Sequence, residues 1–408
     1  MIQIAVLGYG TIGSGVAEVL KVNKESITKR VGDEISIKYI LDLREFPGDP
    51  MEDKIVHDYA VIKNDPEIAI VVEAMGGVEP AYTFAKQALE SGKHFATSNK
   101  ALIAEKGAEL IRIAKEKNVN CMFEASVGGG IPIIRPLNSC LTADVIEEVS
   151  GILNGTTNYM MTKMSSEGSE FEDVLKDAQQ KGYAEADPTA DIEGHDACRK
   201  IAILTSLVCG QQVDFQDIHT EGITKITATD IKYAKALGRS IKLLASSYKT
   251  GDSYCALVAP FMLAPEHPLY NVNDVFNAVF VHGNMLGDAM FYGSGAGKLP
   301  TASAVVADII EEAKNLHHNI PLGWTSEKQV IQPMEDSSHK YFVRISGVYE
   351  SQKDKLQELF GTCKVITLEG ADEFALLTEV LNEKQFRDAK AAFEDADGKV
   401  LQVIRAEA

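Results

Sequence analysis

The sequence predicts an α/β protein in three parts: a doubly wound parallel sheet, an α/β middle region and a small C-terminal βαββαβ unit. Three observations carry this. An apolar run, IQIAVL, leads straight into Gly8-Tyr9-Gly10-Thr11-Ile12-Gly13 and a helical pattern. From there to Phe123, short strand-like runs alternate with helical ones, as βαβ units around a parallel sheet do. Beyond a polar stretch at 329–339, strand and helix patterns follow in the order βαββαβ to the last residues.

The first strand is 2–7 and its helix runs to about Lys21; a second strand is 35–41. Strand-like runs at 68–73, 94–97 and 120–123 then flank helical patterns near 81–91 and 106–117. The alternation loosens at the Gly-rich SVGGGIPIIRP, which puts a first boundary near residue 130. The unit at 1–130 is the dinucleotide-binding one, completed by a helix near 301–325. The second unit, 131–300, carries helical patterns around 201–208 and 231–245. A third, 340–408, reads as strand 341–348, helix 353–360, strands 364–368 and 374–381, helix 383–395 and strand 400–404.

Composition bounds the function. The 408 residues allow two to three domains, and 45% hydrophobic with 24% charged is ordinary globular composition. No apolar run reaches membrane-spanning length, and MIQIAVLGYG lacks the basic start of a signal peptide. The net charge of −19 speaks against nucleic acid or an anionic membrane as partner. Six cysteines without a CxxC pair fit reduced thiols in the cytoplasm, with neither a zinc site nor a disulfide framework. The expected partner is a small molecule.

The glycine pattern directly after a strand lets a pyrophosphate approach a helix N-terminus, where free N–H groups and the helix dipole favour anions. Gly8, Gly10 and Gly13, with Thr11 and Ile12 opening the helix, are therefore cofactor residues. Asp42, at the end of the second strand, suits the ribose hydroxyl of NAD; Arg44 suits the 2′-phosphate of NADP. Both options stand. Met75, in VVEAMGG, and Lys100, in TSNK, end further strands at the same face.

The stretch KGYAEADPTADIEGHDACRKIAIL concentrates Glu185, Asp187, Asp191, Asp196 and Lys200 where a Gly- and Pro-broken loop enters a helix. Asp196 and Lys200 are four apart and share a helix face that continues into Ile203, Leu204 and Leu207. A lysine at the polar end of a buried stripe is partly desolvated and gives up its proton more easily. Acids around it suit the ammonium group of a small substrate.

Taken together, VVEAMGGVEPA, TSNKALIA, FEASVGGGIPII, GILNGTTNYM, KGYAEADPTADIEGHDACRK, ITKITATDIKYAKALGRSIKLLA and GSGAGKLPTASAVVAD closely resemble the homoserine dehydrogenase family over most of residues 1–325. The resemblance implies reversible, NADP- or NAD-dependent reduction of L-aspartate 4-semialdehyde to L-homoserine, in threonine, methionine and isoleucine biosynthesis. It makes Lys200 the proton donor and Lys100 a second active-site lysine that also borders the cofactor. Glu185, Asp191 and Asp196, with Gly182, become substrate residues, and Gly295 and Gly297 join the cofactor set. It further implies a monovalent cation, usually sodium, held by the Glu124 side chain and the backbone carbonyls of Val127, Gly129 and Ile131. A homodimer or higher homo-oligomer is the family expectation.

The C-terminal unit resembles an ACT domain but lacks the Asp-x-Pro-Gly turn after its first strand, reading Arg344-Ile-Ser-Gly347-Val-Tyr-Glu350 instead. Two other readings share this architecture: a semialdehyde dehydrogenase or dihydrodipicolinate-type reductase, and a non-catalytic NADP-binding sensor. The first would need a cysteine nucleophile on an exposed elbow if it acylates; Cys121 and Cys198 fall inside a strand and a helix. The second leaves Glu185, Asp196 and Lys200 without a role. The polar stretch 329–339 is expected to be a linker crossed by few buried contacts, so that the C-terminal unit is separable.

Overall fold

The computed structural model describes residues 1–407; the expected third unit ends at Ala408, which lies outside the described residues. The chain opens with β1 (Ile2–Leu7), α1 (Thr11–Val22), α2 (Lys24–Val31) and β2 (Ile35–Leu41). It continues through β3 (Ile55–Val56), α3 (Tyr59–Asn64), β4 (Ile68–Glu73), α4 (Ala81–Glu90), β5 (His94–Thr97), α5 (Lys100–Lys117) and β6 (Cys121–Met122). These six strands form one parallel sheet in the order β3-β2-β1-β4-β5-β6. Helices cover both faces, so β1 has no polar face to spare: Ile4, Ala5, Val6 and Leu7 are all fully buried. Strand order reverses between β1 and β4, which opens a crevice at their C-terminal ends.

The middle region holds β7 (Ile146–Ile152), α6 (Gly155–Glu167), α7 (Phe171–Gln180), α8 (Thr189–Ile192), α9 (His195–Cys209), β8 (His219–Thr220) and α10 (Ala228–Ala236). After these come β9 (Ser240–Thr250), β10 (Ser253–Leu263), β11 (Phe276–Gly283), β12 (Gly287–Ser294) and α11 (Lys298–Lys314). The helical pattern expected over 231–245 is broken. Gly238 adopts φ +71°, a left-handed conformation that ends the helix. The apolar run that follows is a strand buried on both faces, whose continuous hydrophobicity imitates a helix. Helix α11 does return to the first unit, packing so closely on α1 that a Cβ on Gly15 would lie 2.9 Å from that of Ala302. It stops at Lys314, short of the expected 325. Trp324 lies beyond it, edge-on to Phe123.

The last part contains β13 (Ser338–Ser346), α12 (Tyr349–Phe360), β14 (Cys363–Thr367), β15 (Glu373–Thr378), β16 (Leu381–Asn382), α13 (Glu383–Glu394) and β17 (Val400–Ala406). This is the expected βαββαβ order with a two-residue strand added. Its separability is not what the structure has. Strand β17 pairs in parallel with β10, so both units share one sheet running β12-β11-β7-β9-β10-β17-β13-β15-β14. The polar stretch is tied down as well: Gln329 N donates to Gln212 O (2.9 Å), and Gln332 N to Tyr254 O (2.8 Å). Arg344 reaches across to Asp230 at 2.7 Å, with Asp230 fully buried. The physical cause is the edge of β10: its unpaired backbone groups are satisfied by adding a strand, and a polar sequence does not reveal that.

Candidate active site

The turn between β1 and α1 is the candidate cofactor turn. Gly8 has φ +91°, and a Cβ there would press on the Ala74 carbonyl at 3.0 Å; a Cβ on Gly13 would fall 1.9 Å from Gly8 O. Both positions need glycine. Around Gly10 there is open space. With Thr11 and Ile12 starting the helix, its free N–H groups face the crevice where a pyrophosphate fits. The neighbouring cleft, about 500 Å³, is bordered by Gly8, Gly10, Asp42, Arg44 and Met75.

Asp42 and Arg44 form a fork: Arg44 Nε donates to Oδ1 at 3.0 Å and Nη2 to Oδ2 at 2.9 Å. Tyr9 N also donates to Oδ2, at 2.8 Å. The Arg44 bonds, against some burial, hold the Asp42 carboxyl below the usual carboxylate range. Arg44 itself is largely exposed at the mouth of the cleft. The two residues that the sequence offered as alternatives thus act as one unit.

Glu73, fully buried at the end of β4, was not singled out in the sequence. Its Oε1 accepts from the backbone N–H of Met75 (2.7 Å) and Gly76 (3.1 Å), and its Oε2 from Thr97 Oγ1 (2.6 Å). It therefore locks together the two strand ends that carry Met75 and Lys100. Asn99 caps α5 by accepting from Leu102 N at 3.1 Å, which sets Lys100 on the first turn.

The charged centre lies where α9, α5 and the N-terminus of α6 converge. Asp196 meets Lys200 Nζ through Oδ2 and Lys100 Nζ through Oδ1, both at 2.6 Å. Lys200 Nζ also donates to Leu153 O at 2.7 Å, so one of its three protons is left for another acceptor. Burial lowers the Lys200 pKa, against the pull of Asp196. Lys100 is shifted the other way: burial opposes its charge, but Asp196 prevails. Burial also opposes ionisation of Asp196, yet the two lysines hold its carboxyl well below the ordinary range. Asp191 is pushed up, by burial first and then by the Asp196 charge.

Asn154 organises these acids, and its role went unread in GILNGTTNYM. Its Nδ2 donates to both Asp191 Oδ1 (2.8 Å) and Asp196 Oδ2 (2.9 Å), while its Oδ1 caps α6 at Thr157 N. Asparagine ahead of Gly-Thr-Thr signals an N-cap; nothing in the sequence signals which acids its amide meets.

A cleft of about 600 Å³ joins this centre to the cofactor turn. Ile12, Lys100, Gly182, Asp191, Asp196 and Lys200 line it, together with Gly129, Gly295 and Gly297. Glu185 is placed apart, exposed on the loop after α7, two residues past the cleft-lining Tyr183. The two Gly-rich loops nest: a Cβ on Gly129 would meet Gly295 O at 2.4 Å, and one on Gly130 would meet Pro300 at 2.8 Å.

The loop expected to hold a cation is buried at Glu124, Val127 and Ile131. Among the described residues, the carbonyls of Val127, Gly129 and Ile131 accept no hydrogen bond, so three hard oxygen donors remain free on one short loop. Glu124 is already engaged. Its carboxylate accepts from the backbone N–H of Ile133 (2.5 Å), Ile134 (2.7 Å) and Arg135 (2.9 Å). Free carbonyl oxygens are the donor type that an alkali ion takes, and the buried Glu124 carboxylate lies on the same loop.

Comparison with known proteins accords with this geometry. Residues 8–124 match the family model described as homoserine dehydrogenase, NAD binding domain, and residues 132–310 match the homoserine dehydrogenase model. The homoserine dehydrogenase of Neisseria gonorrhoeae is 40% identical, covering 100% of this chain and 98% of the relative. That of Bacillus subtilis is 37% identical, covering 99% and 97%. The crystal structure of a homoserine dehydrogenase from Thiobacillus denitrificans superposes with a TM-score of 0.92 at 38% identity, covering 100% of this chain and 98% of that one. A hyperthermophilic archaeal homoserine dehydrogenase in complex with NADPH covers 76% of this chain and 97% of its own, with a TM-score of 0.65 at 28% identity.

Proposed function

The chain belongs to the homoserine dehydrogenase family, and on that premise we propose how its cleft performs the family's reaction, the reversible NAD(P)-dependent interconversion of L-homoserine and L-aspartate 4-semialdehyde. The nicotinamide supplies or takes the hydride. Lys200 handles the proton: in the reducing direction it donates to the carbonyl oxygen as negative charge develops there, and in the oxidising direction it takes the hydroxyl proton. The observation that carries this role is the Lys200 ammonium, buried and held by Leu153 O and Asp196 with one proton uncommitted. Lys100 shares Asp196 with it and adds positive field at the developing alkoxide. Asp191 and Asp196 hold the substrate ammonium by charge-assisted bonds, beside Gly182 on the cleft wall. Glu185 is assigned the rim, where the ammonium enters.

We assign the cofactor preference to NADP over NAD. The Arg44 guanidinium borders the cleft beside Gly8 and Gly10, where the adenosine ribose of a cofactor would lie, and its pairing offsets the Asp42 charge that would repel a 2′-phosphate. The NADPH-bound archaeal relative supports this reading. A monovalent cation, sodium by preference, is assigned to the Val127, Gly129 and Ile131 carbonyls with Glu124 alongside, where it would stiffen the loop facing Gly295. The C-terminal βαββαβ unit is read as an ACT-like module. A homodimer is supported by the apolar side chains of edge strand β12 and its flanks, with Met290 45% and Tyr292 54% exposed. Among the described residues no helix is long and apolar enough to cross a membrane; the six free thiols are what favours a reducing compartment such as the cytoplasm.

The test follows cofactor absorbance with aspartate 4-semialdehyde and either NADPH or NADH. Turnover with both and a lower KM for NADPH is expected. A lower KM for NADH would reverse the cofactor assignment, and no turnover with either would remove the proposed chemistry.

A further inference from the structure

The acid Asp191 is not held by its own helix alone. It lies on α8, a single turn, with Asn154 on one side. On the other side the loop 221–225 presses against the end of α8. Ile223 N donates to Ile192 O at 2.8 Å, and Gly222 approaches so closely that a Cβ would stand 2.2 Å from that same oxygen. This loop has little structure of its own. It follows the two-residue strand β8 and is gripped from behind by β17. Arg405, only 7% exposed, donates from Nη1 to Glu221 Oε1 at 2.9 Å and from Nη2 to Glu383 Oε1 at 3.0 Å. Gln402, on the same strand, donates from Nε2 to Lys225 O at 2.6 Å. The C-terminal unit thus reaches both ends of the loop; at the first end β10 also accepts from Glu221 N through Val258 O (2.7 Å), and His219 shares Glu221 Oε1 with Arg405.

We propose that Arg405 is a positioning residue for the substrate site: through Glu221 it holds the 221–225 loop against α8 and so keeps Asp191 in register with Asn154 and Asp196. The chain of contacts is short and each link is direct. An ion pair meets a loop, the loop meets the last carbonyl of a one-turn helix, and that helix carries the acid. A small displacement at the loop must move the helix, because Gly222 leaves no room to absorb it. The proposal rests on the reading of Asp191 as a substrate-ammonium ligand.

The test measures KM for homoserine, KM for the cofactor and kcat in the full-length enzyme. Arg405→Met is expected to raise the homoserine KM about tenfold, the size of a coupling near 1.4 kcal/mol, with the cofactor KM nearly unchanged. Arg405→Lys should restore part of the loss. Because Arg405 also serves Glu383, Arg405→Met can fail to fold; Glu221→Gln and Gly222→Ala then decide by the same criterion, since both disturb the loop and leave the Arg405–Glu383 pair intact. The decisive comparison is with Asp191→Asn. If Arg405 acts through Asp191, its substitution adds almost nothing in the Asp191→Asn background. Fully additive losses, or a cofactor KM that rises in step, would overturn the proposal. An Asp191→Asn enzyme with an unchanged homoserine KM would instead remove its premise, the ammonium role itself.

Discussion

Asp196 and Lys200 meet at 2.6 Å one helical turn apart, with both side chains nearly buried. A second lysine, Lys100, reaches the other carboxylate oxygen. One acid thus serves two cations, and Lys200, the more deeply placed, is the one whose charge burial opposes most. An ammonium under that pressure, with one proton uncommitted, suits proton exchange with a substrate oxygen.

Lys200→Ala is accordingly expected to lower kcat by about 10²-fold or more, within the range of general acid–base catalysis. The homoserine KM should change less. The pH profile carries the sign. Oxidation needs neutral Lys200, so its rate should rise with pH through a midpoint below the ordinary lysine value of 10.5. Reduction should fall through the same region. Near-normal turnover in the variant would hand the role to Lys100.

Arg44→Ala tests the cofactor end. It removes both guanidinium bonds to Asp42 and leaves that carboxylate facing the cleft. NADPH binding should weaken by about tenfold, the size of one lost charge-assisted contact, while NADH binding holds or improves. Equal losses for the two cofactors in a binding titration would mean that Arg44 only shapes the loop.

Glu312, on α11, has no exposed surface, and among the described residues no side chain pairs with its carboxylate; Phe95 N–H is the backbone donor that faces it. Burial, with Asp308 one turn earlier, pushes the Glu312 pKa well above the ordinary glutamate value of 4.5. The folded chain therefore keeps a proton that the unfolded chain releases once pH exceeds that unfolded value. Stability from this group is complete below it and declines as pH rises toward the folded pKa, by up to about 1.4 kcal/mol per pH unit. Glu312→Gln cannot lose a proton, so its Tm should fall less than the wild type's between pH 6 and pH 8.5. Parallel Tm curves would show that Glu312 does not hold its proton in the fold.

Where the sequence was legible, local chemistry was decisive. Gly8 and Gly13 announce themselves because only glycine fits those positions, and Asp196 and Lys200 because helical spacing places them together. Asn154 and Glu73 were not legible as site residues, since their partners lie in distant segments: Asp191 and Asp196 for one, Thr97 for the other. The strand at 240–250 was misread for a related reason. Burial on both faces removes the alternation that distinguishes strand from helix. The join between β10 and β17 is harder still, because backbone pairing at a sheet edge leaves little trace in side-chain pattern.

That join bears on truncation. A chain ending at Pro333 loses β13 through β17 and uncovers the β10 edge at Phe261 and Met262. Asp230 loses Arg344 and Glu221 loses Arg405. Asp230, fully buried in the whole chain, is opened to water there and keeps Thr227 as its hydrogen-bond partner. The larger cost is apolar surface that β13 and β17 cover, about 25 cal/mol for each Å² returned to water, against the roughly 5–15 kcal/mol that holds a domain folded. Tyr233, fully buried, would also lose Phe342, whose ring lies 5.8 Å from its own. The truncated chain is expected to aggregate, or to melt far below the full-length protein, with no homoserine oxidation at ordinary assay temperature. A soluble truncation with full-length kcat and Tm would show that the shared sheet is only an abutment and that the middle region folds without it.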